Sequence, residues 1–314
     1  MRTLHALLAT DTAGDPMGRR GVWTGLRLRQ ICRLLRRLGL RVCPSTVSRL
    51  LSKLGYALHA NRKSLCAPCP ERNRQFRYLA RQRRRFSQAH APIISVDTKK
   101  RELVGHFKNP GRVWSREPIQ VLDHDFPSLG QGVAIPYGVY DLQANRGCVT
   151  VGTSRNTPAF AAESIRQWWR HDGRLRYPKA SRLLVLADNG GSNGADTYLW
   201  KHALQHKLVN PFGLSVTVCH YPTGASKWNP VEHRLFSEIS KQWAGQPLAD
   251  YTTVVRLIRR THTRTGLTVR CSLDTRQYPK GIKLTTEQIH QIRLQKHAVL
   301  PHWNYTLLPN ENGN

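Results

Sequence analysis

Two short apolar runs, each closed by an aspartate, constrain this chain most. Residues 92–97 (PIISVD) and 182–188 (RLLVLAD) are near-continuous hydrophobic segments of strand length. A strand that is apolar on both faces has to be covered on both, as in a sheet layered by helices. Gly132–Asp141 and Gly147–Gly152 read as strands about a turn at Gln143–Arg146, and Leu214–His220 as a further strand. Thr157–Trp169 and Asn229–Trp243 read as helices with Pro158 and Pro230 in their first turns, and Gly194–Leu208 as a helix between them. Residues 99–130, with Pro110, Gly111, Pro118, Pro127 and Gly130, read as loop-rich. The order β-β-β-α-β-α-β-α predicts an α/β layered domain.

In open α/β sheets, ligand sites form beyond the carboxyl ends of strands. That places Asp97 and Asp188 at one rim. Glu232, in the first turn of the last helix, is a third acid, in a position the helix dipole favours. Hard divalent cations take oxygen ligands, and a pair of them stabilises the attacking and leaving oxygens of phosphodiester cleavage. The two aspartates also have ordinary readings: a strand end for Asp97, and a turn before Gly190-Gly191 for Asp188. Glu238, six residues after Glu232, is its rival. Asp123 and Asp125 are expected on the surface and Asp141 at a hairpin on the wrong edge.

Charge points the same way. The chain of 314 residues carries 49 Lys and Arg against 19 Asp and Glu, a formal net charge of +30. Self-repulsion of that size favours a polyanionic partner, and nucleic acid is the common one. Residues 1–90 hold 20 of the cations but only Asp11, Asp15 and Glu71 as acids. Within them, Thr24–Leu38 shows apolar residues at helical spacing and closes on Gly39. A second helix starts at Pro44 or Ser45 and stops at Gly55. The pair reads as a helix-turn-helix whose second helix offers Ser45, Arg49 and Lys53, with Thr46 and Ser48, to a DNA groove. A helical hairpin with a basic face has the same pattern. Residues 70–90 read as one basic helix linking this region to the α/β domain.

The remaining features exclude more than they assign. Seven irregularly spaced Cys give no disulfide framework, and Cys66–Cys69 is half a zinc site with no second half nearby. No apolar run is long enough for a membrane span, and the apolar stretch of MRTLHALLATDTAGDP is too short for a signal peptide. A cytosolic location, without membrane partners, is expected.

Four segments carry a family resemblance: SVDTKKRELVGHFKNPGR at 95–112, ADNGGSNG at 187–194, HYPTGASKWNPVEHRLFSEIS at 220–240 and LDTRQYPKGIKLT at 273–285. They resemble bacterial insertion-sequence transposases of the DDE type, in the retroviral-integrase superfamily, and within these the Rhodopirellula-type DDE transposases. The resemblance covers most of the chain. It implies a ribonuclease-H-like catalytic domain, Mg²⁺ or Mn²⁺ as two ions on Asp97, Asp188 and Glu232, and strand cleavage and transfer at element ends. It also implies element-end and target DNA as partners, a homo-oligomer on DNA, and a bacterial, nucleoid-associated location. Such transposases are usually longer at the N-terminus, with a further DNA-binding helical segment. A nuclease without strand transfer and a non-enzymatic DNA-binding regulator share the same features and stay open as alternatives.

The expected organisation is a helical DNA-binding region at 1–68, a basic linker helix at 69–90, the catalytic domain at 91–250 and a C-terminal extension at 251–314. Lys99, Lys100, Asn189, Lys227, Trp228 and Arg234 are candidate DNA contacts around the acids. Trp228, in a polar loop, could stack on a base.

Overall fold

The computed structural model describes residues 3, 4, 7, 8, 12, 13, 23–58, 71–124, 127–225 and 228–310. The chain divides into two units, Met1–Ala67 and Pro68–Asn314. Cys66, Cys69, Asp125 and Lys227 lie outside the described residues.

In the first unit, Thr12–Ala13 (β1) pairs antiparallel with Trp23–Thr24 (β2). Two helices come next, Leu28–Arg37 (α1) and Pro44–Lys53 (α2). Gly39, at φ +79°, ends α1, with the Leu40 amide bonded back to the Leu35 carbonyl at 2.9 Å. This is the left-handed close that glycine adopts without steric cost. Pro44 opens α2 at the position where its missing N–H is harmless. Leu4, Leu8, Ile31, Leu35 and Val47 form the small core. Ser45, Arg49 and Lys53, at spacing i, i+4, i+8, lie exposed along α2, while Val47 is buried.

The second unit is built on one mixed sheet. Its strands are Ile93–Thr98 (β3), Glu102–Val104 (β4), Gly132–Asp141 (β5), Arg146–Gly152 (β6), Arg182–Ala187 (β7), Ser215–His220 (β8), Thr268–Asp274 (β9), Leu294–Lys296 (β10) and Asn304–Leu307 (β11). They lie in the order β10-β11-β8-β7-β3-β5-β6-β9, with β4 paired to β5. β3, β7 and β8 are parallel, while β5 and β6 form an antiparallel hairpin on β3. The β6-β5-β3-β7-β8 arrangement is that of the ribonuclease-H-like fold.

Side chains alternate across the sheet, as strand geometry requires. Val96, Leu183 and Val185 face one side. There they pack on Phe160, Ile165 and Trp168 of Pro158–Trp168 (α4) and on Trp200 and Leu204 of Tyr198–Leu204 (α5). Ile93, Leu184 and Leu186 face the other side, against Tyr78, Leu79 and Phe86 of Arg72–Gln88 (α3). Further along that second face, Tyr140, Val149 and Val151 pack on two helical segments. One is the π-turn Glu232–Phe236 continuing into Ser237–Gln242 (α6), and the other is Tyr251–Arg259 (α7). The last helix, Thr286–His290 (α8), is capped by Thr285.

Two expectations about organisation change here. The helix expected as a linker at 69–90 is α3, which belongs to the second unit and covers its sheet. It buries Gln75, whose amide donates to the His220 carbonyl at 2.7 Å and to Asn304 Oδ1 at 2.9 Å. The region expected as a C-terminal extension supplies β9, β10 and β11 to the same sheet, so no boundary falls at 250.

Candidate active site

Register brings the two aspartates together. Val96 is aligned with Ala187 on neighbouring parallel strands, so Asp97 and Asp188 are the next residues of both, side by side. The alternation that sends Ile93 and Leu186 to the α3 face sends Asp97 and Asp188 to that face too. Asp97 is 9% exposed. Its Oδ1 accepts from the Thr98 amide at 2.7 Å, and its Oδ2 from Asn229 Nδ2 at 3.4 Å.

Glu232 arrives from the helix that packs on this face. Its local chain is tied to β3 by Ser95, whose hydroxyl donates to Asn229 Oδ1 and accepts from the Val231 amide at 3.1 Å. Opposite Asp97 stands Gly138. A Cβ there would lie 2.8 Å from Phe236 Cζ and 3.1 Å from Val231 Cγ2. The missing side chain therefore lets the Glu232 turn sit down on the sheet. Glu232 also opens the π-turn, its carbonyl accepting from the Ser237 amide. Such single-turn π-bulges recur at functional sites.

The three carboxylates feel one another. Burial first, then the charge of Asp188 and that of Glu232, push the Asp97 carboxyl far above its ordinary value. Asp188 is raised as well, by burial and by Glu232, against the lowering effect of Asn193. Among the described residues no Lys or Arg forms an ion pair with any of the three. Nor do any three Asp, Glu, His or Cys side chains form a ready-made ligand shell, so the trio converges but stays open. Oxygen donors with an unneutralised negative excess are nonetheless the donor set that suits a hard divalent cation.

The loop after Asp188 is held from below. Asn193 Nδ2 donates to Asp188 Oδ1 at 3.5 Å, and Asn193 Oδ1 accepts from the buried Tyr137 hydroxyl at 2.9 Å. Burial, then Asp97 and Asp188, hold that phenol well above its usual range, so it stays a donor. His220 is fully buried, and burial lowers it to about 4. Neutral, it donates from Nδ1 to the Asp188 carbonyl at 2.9 Å, and its Nε2 accepts from the Tyr305 hydroxyl at 3.3 Å. Lys201 Nζ donates to the Ala195 carbonyl at 2.5 Å.

The rival acids are engaged elsewhere. Glu238 pairs with Lys241 at 2.7 Å. Asp141 is buried at the other end of β5, accepting from the Gln143 and Ala144 amides and from the Tyr177 hydroxyl. Asp123 is exposed and bonds the His124 amide.

The candidate DNA contacts divide. Lys100 is exposed beside Asp97. Lys99 instead turns inward, to Glu102 at 2.9 Å and over the Trp243 ring at 4.5 Å. Asn189 closes the loop on the Ala195 amide at 3.2 Å. Trp228 is 43% exposed, with the Arg72 guanidinium 4.8 Å from its ring centroid and Phe76 at 5.3 Å. Arg234 is exposed, and its charge acts on Tyr140, whose pKa burial nonetheless raises. Sequence reasoning missed Ser95, Tyr137, His220 and the role of Asn229. For Asn229, its place directly before Pro230 was the available signal.

No curated protein matches the chain. Among solved structures, the Mos1 transposase paired-end complex with left transposon end is 18% identical, with a TM-score of 0.44 over 81% of this chain and 68% of that one. The Mos1 strand transfer complex is 19% identical, with a TM-score of 0.43 over the same shares. The family model described as the Rhodopirellula transposase DDE domain matches residues 3–309. With that match spanning nearly all of it, the chain belongs to the Rhodopirellula transposase DDE domain family.

Proposed function

We propose that this protein is a metal-dependent DNA transposase, cutting phosphodiester bonds at the ends of an insertion sequence and joining them to target DNA. The observation that carries the reading is the convergence of Asp97, Asp188 and Glu232 on one sheet face, with their mutual repulsion unneutralised by Lys or Arg among the described residues. Asp97, Asp188 and Glu232 would hold two Mg²⁺ or Mn²⁺ ions. Bound there, such ions supply Lewis-acid stabilisation of the phosphate and a lowered pKa for the attacking water or hydroxyl.

The chain's own residues fix the geometry. Asn229 and the Thr98 amide orient Asp97. Asn193 and His220 orient the side chain and the carbonyl of Asp188. Lys100 would bind a flanking phosphate, and Trp228 would stack on a base. Lys227 is a further candidate phosphate contact. The first unit would read the element end through α2, with Ser45, Arg49 and Lys53 toward the groove. Because two ends must be brought together before joining, this reading entails a homo-oligomer on DNA.

The test is incubation with labelled element-end duplex, Mg²⁺ or Mn²⁺ and a target plasmid. Joined products support the transposase. Cleavage without joining would make it a nuclease. Binding with neither, unaltered by Asp188→Asn, would make it a non-enzymatic DNA-binding regulator.

A further inference from the structure

β9 is the last strand on its side of the sheet, and a cavity of about 570 Å³ opens along it. Arg146, Gln167, His171, Arg259, Arg270 and Ser272 line it. None of these belongs to the carboxylate site. Arg146 pairs with Asp141 and Thr268 in register, whereas Asp97 stands across from Gly138 and hence Val149. At about 3.4 Å per residue and 4.8 Å per strand, Asp97 and Arg146 lie roughly 14 Å apart on the sheet.

Two of the cations here are held in place without being neutralised. Arg259 donates to the Cys271 carbonyl at 2.8 Å and Arg270 to the His171 carbonyl at 3.1 Å. Those bonds orient the guanidinium groups and leave their charge intact. Asp172 is the carboxylate ion-paired to this group among the described residues, and it is shared between Arg146 at 3.6 Å and Arg176 at 3.5 Å. Exposed Arg170 and Arg174 add to the field. After burial, the charges of Arg170, Arg270 and Arg174 lower the pKa of His171. Arg170 and His171 sit on a second π-turn, Trp169–Gly173, which presents them beside β9.

We infer that this groove is a second phosphate-binding surface, taking the sugar–phosphate backbone of duplex DNA away from the scissile phosphate. The inference rests on the proposed reading that the protein acts on DNA. Guanidinium groups suit phosphate oxygens through their fork of donors, and several of them, brought from β6, β9, α7 and the Trp169–Gly173 turn to one groove, suit a repeating anion better than a single small one. The competing explanation is that cations beside the edge strand merely discourage strand-to-strand association.

Arg146→Gln/Arg170→Gln/Arg174→Gln separates the two, because it leaves the backbone bonds of Arg259 and Arg270 intact. Binding of the full-length chain to a 30-base-pair duplex of arbitrary sequence is measured against salt, with chelator present so that cleavage plays no part. If all three guanidinium groups meet phosphates, their loss flattens the log–log slope by about 2.7, which is roughly 500-fold weaker binding at 0.1 M salt on curves that meet at 1 M. Lys280→Gln/Lys283→Gln/Lys296→Gln removes the same charge elsewhere on the surface and should weaken binding by about twofold or less. An equal effect of both triples, or no effect of the arginine triple, overturns the inference. Unaltered DNA binding with increased self-association would establish edge protection instead. If the wild-type chain binds no duplex, this inference and the DNA-acting reading fall together. If it binds and the arginine triple matches it, only this inference falls.

Discussion

At the residue scale, the site is a set of acids forced into each other's company. Asp97 is raised from 3.8 to about 8. Between those values the folded protein holds more protons than the unfolded chain, so this group's contribution to stability is largest at low pH and falls as pH rises toward 8. The metal-free protein should therefore show a melting temperature that declines from pH 5 to pH 8, and Asp97→Asn should flatten that decline. Identical slopes in calorimetry would remove Asp97 as its source. Mg²⁺ or Mn²⁺ should raise the melting temperature of the wild type more at pH 8 than at pH 6, and hardly that of Asp97→Asn. Asn229 makes a separate case. It is fully buried, and Asn229→Ala would strand the Ser95 hydroxyl and release one Asp97 oxygen. Loss of such a buried bond costs about 1–3 kcal/mol, readable by denaturant titration. The cleavage rate should fall further than the stability loss explains.

At the element scale, the placement of Glu232 depends on a glycine in another strand. Gly138→Ala introduces a methyl group into the space of Phe236 and Val231. Overpacking of that kind costs about 1–3 kcal/mol. The expected outcome is a folded protein with weakened metal binding by calorimetric titration, because the helix start that carries Glu232 is lifted. Wild-type metal affinity in Gly138→Ala would show that the contact does not position Glu232.

What the sequence disclosed is uneven at this scale. The strands ending in Asp97 and Asp188 were legible because burial on both faces leaves an unbroken apolar run. β9 was not, because an edge strand with Ser272 and Leu273 exposed alternates too little to be told from a loop. α3 read as a linker because its arginines mask Tyr78, Leu79 and Phe86, and hydropathy gives no credit to buried glutamines. Lys99 read as a DNA contact because the ring and carboxylate that draw it inward come from Trp243 and Glu102, a tertiary fact. For the acids, strand-end logic located two of the three, and the Asn-Pro-Val-Glu motif located Glu232. Their supports, Tyr137 and His220, look in sequence like ordinary core residues.

At the scale of the whole molecule, charge and its exceptions govern behaviour. Glu163 is 1% exposed by side chain and pairs with Arg166 at 2.5 Å, Arg276 at 3.1 Å and Lys207 at 3.2 Å. Arg276 also bonds Asp274 at 2.8 Å, so the 273–278 segment is pinned to α4 through this cluster. Burial alone would raise Glu163, yet hydrogen bonds from Arg166 and Gln167 and the charge of Lys207 bring it down to about 2. Its folded value lies below its unfolded one, so its contribution is present above pH 4.5 and is lost as pH falls toward 2. The partner cations are 25%, 35% and 51% exposed and keep access to water, so losing these charge-assisted bonds costs about 1–3 kcal/mol. Glu163→Gln should thus lower stability at pH 7 by an amount of that order and lose less than the wild type on acidification. A parallel acid response in urea titrations would count against the cluster. With +30 formal charges, the molecule should also gain stability from polyanions, as any partner that binds only the folded state confers.

The position of β11 has a consequence in time. It lies between β8 and β10, the Trp303 carbonyl just before it accepts from the His220 amide, and its Tyr305 hydroxyl supports the imidazole that holds Asp188. Asp97, Asp188 and Glu232 all leave the ribosome well before residues 303–305 do. A nascent chain paused between Glu232 and β11 carries every acid of the site but lacks the strut that supports one of them. Synthesis order alone would then leave the Asp188 carbonyl without its full support until the last strand of the sheet emerges.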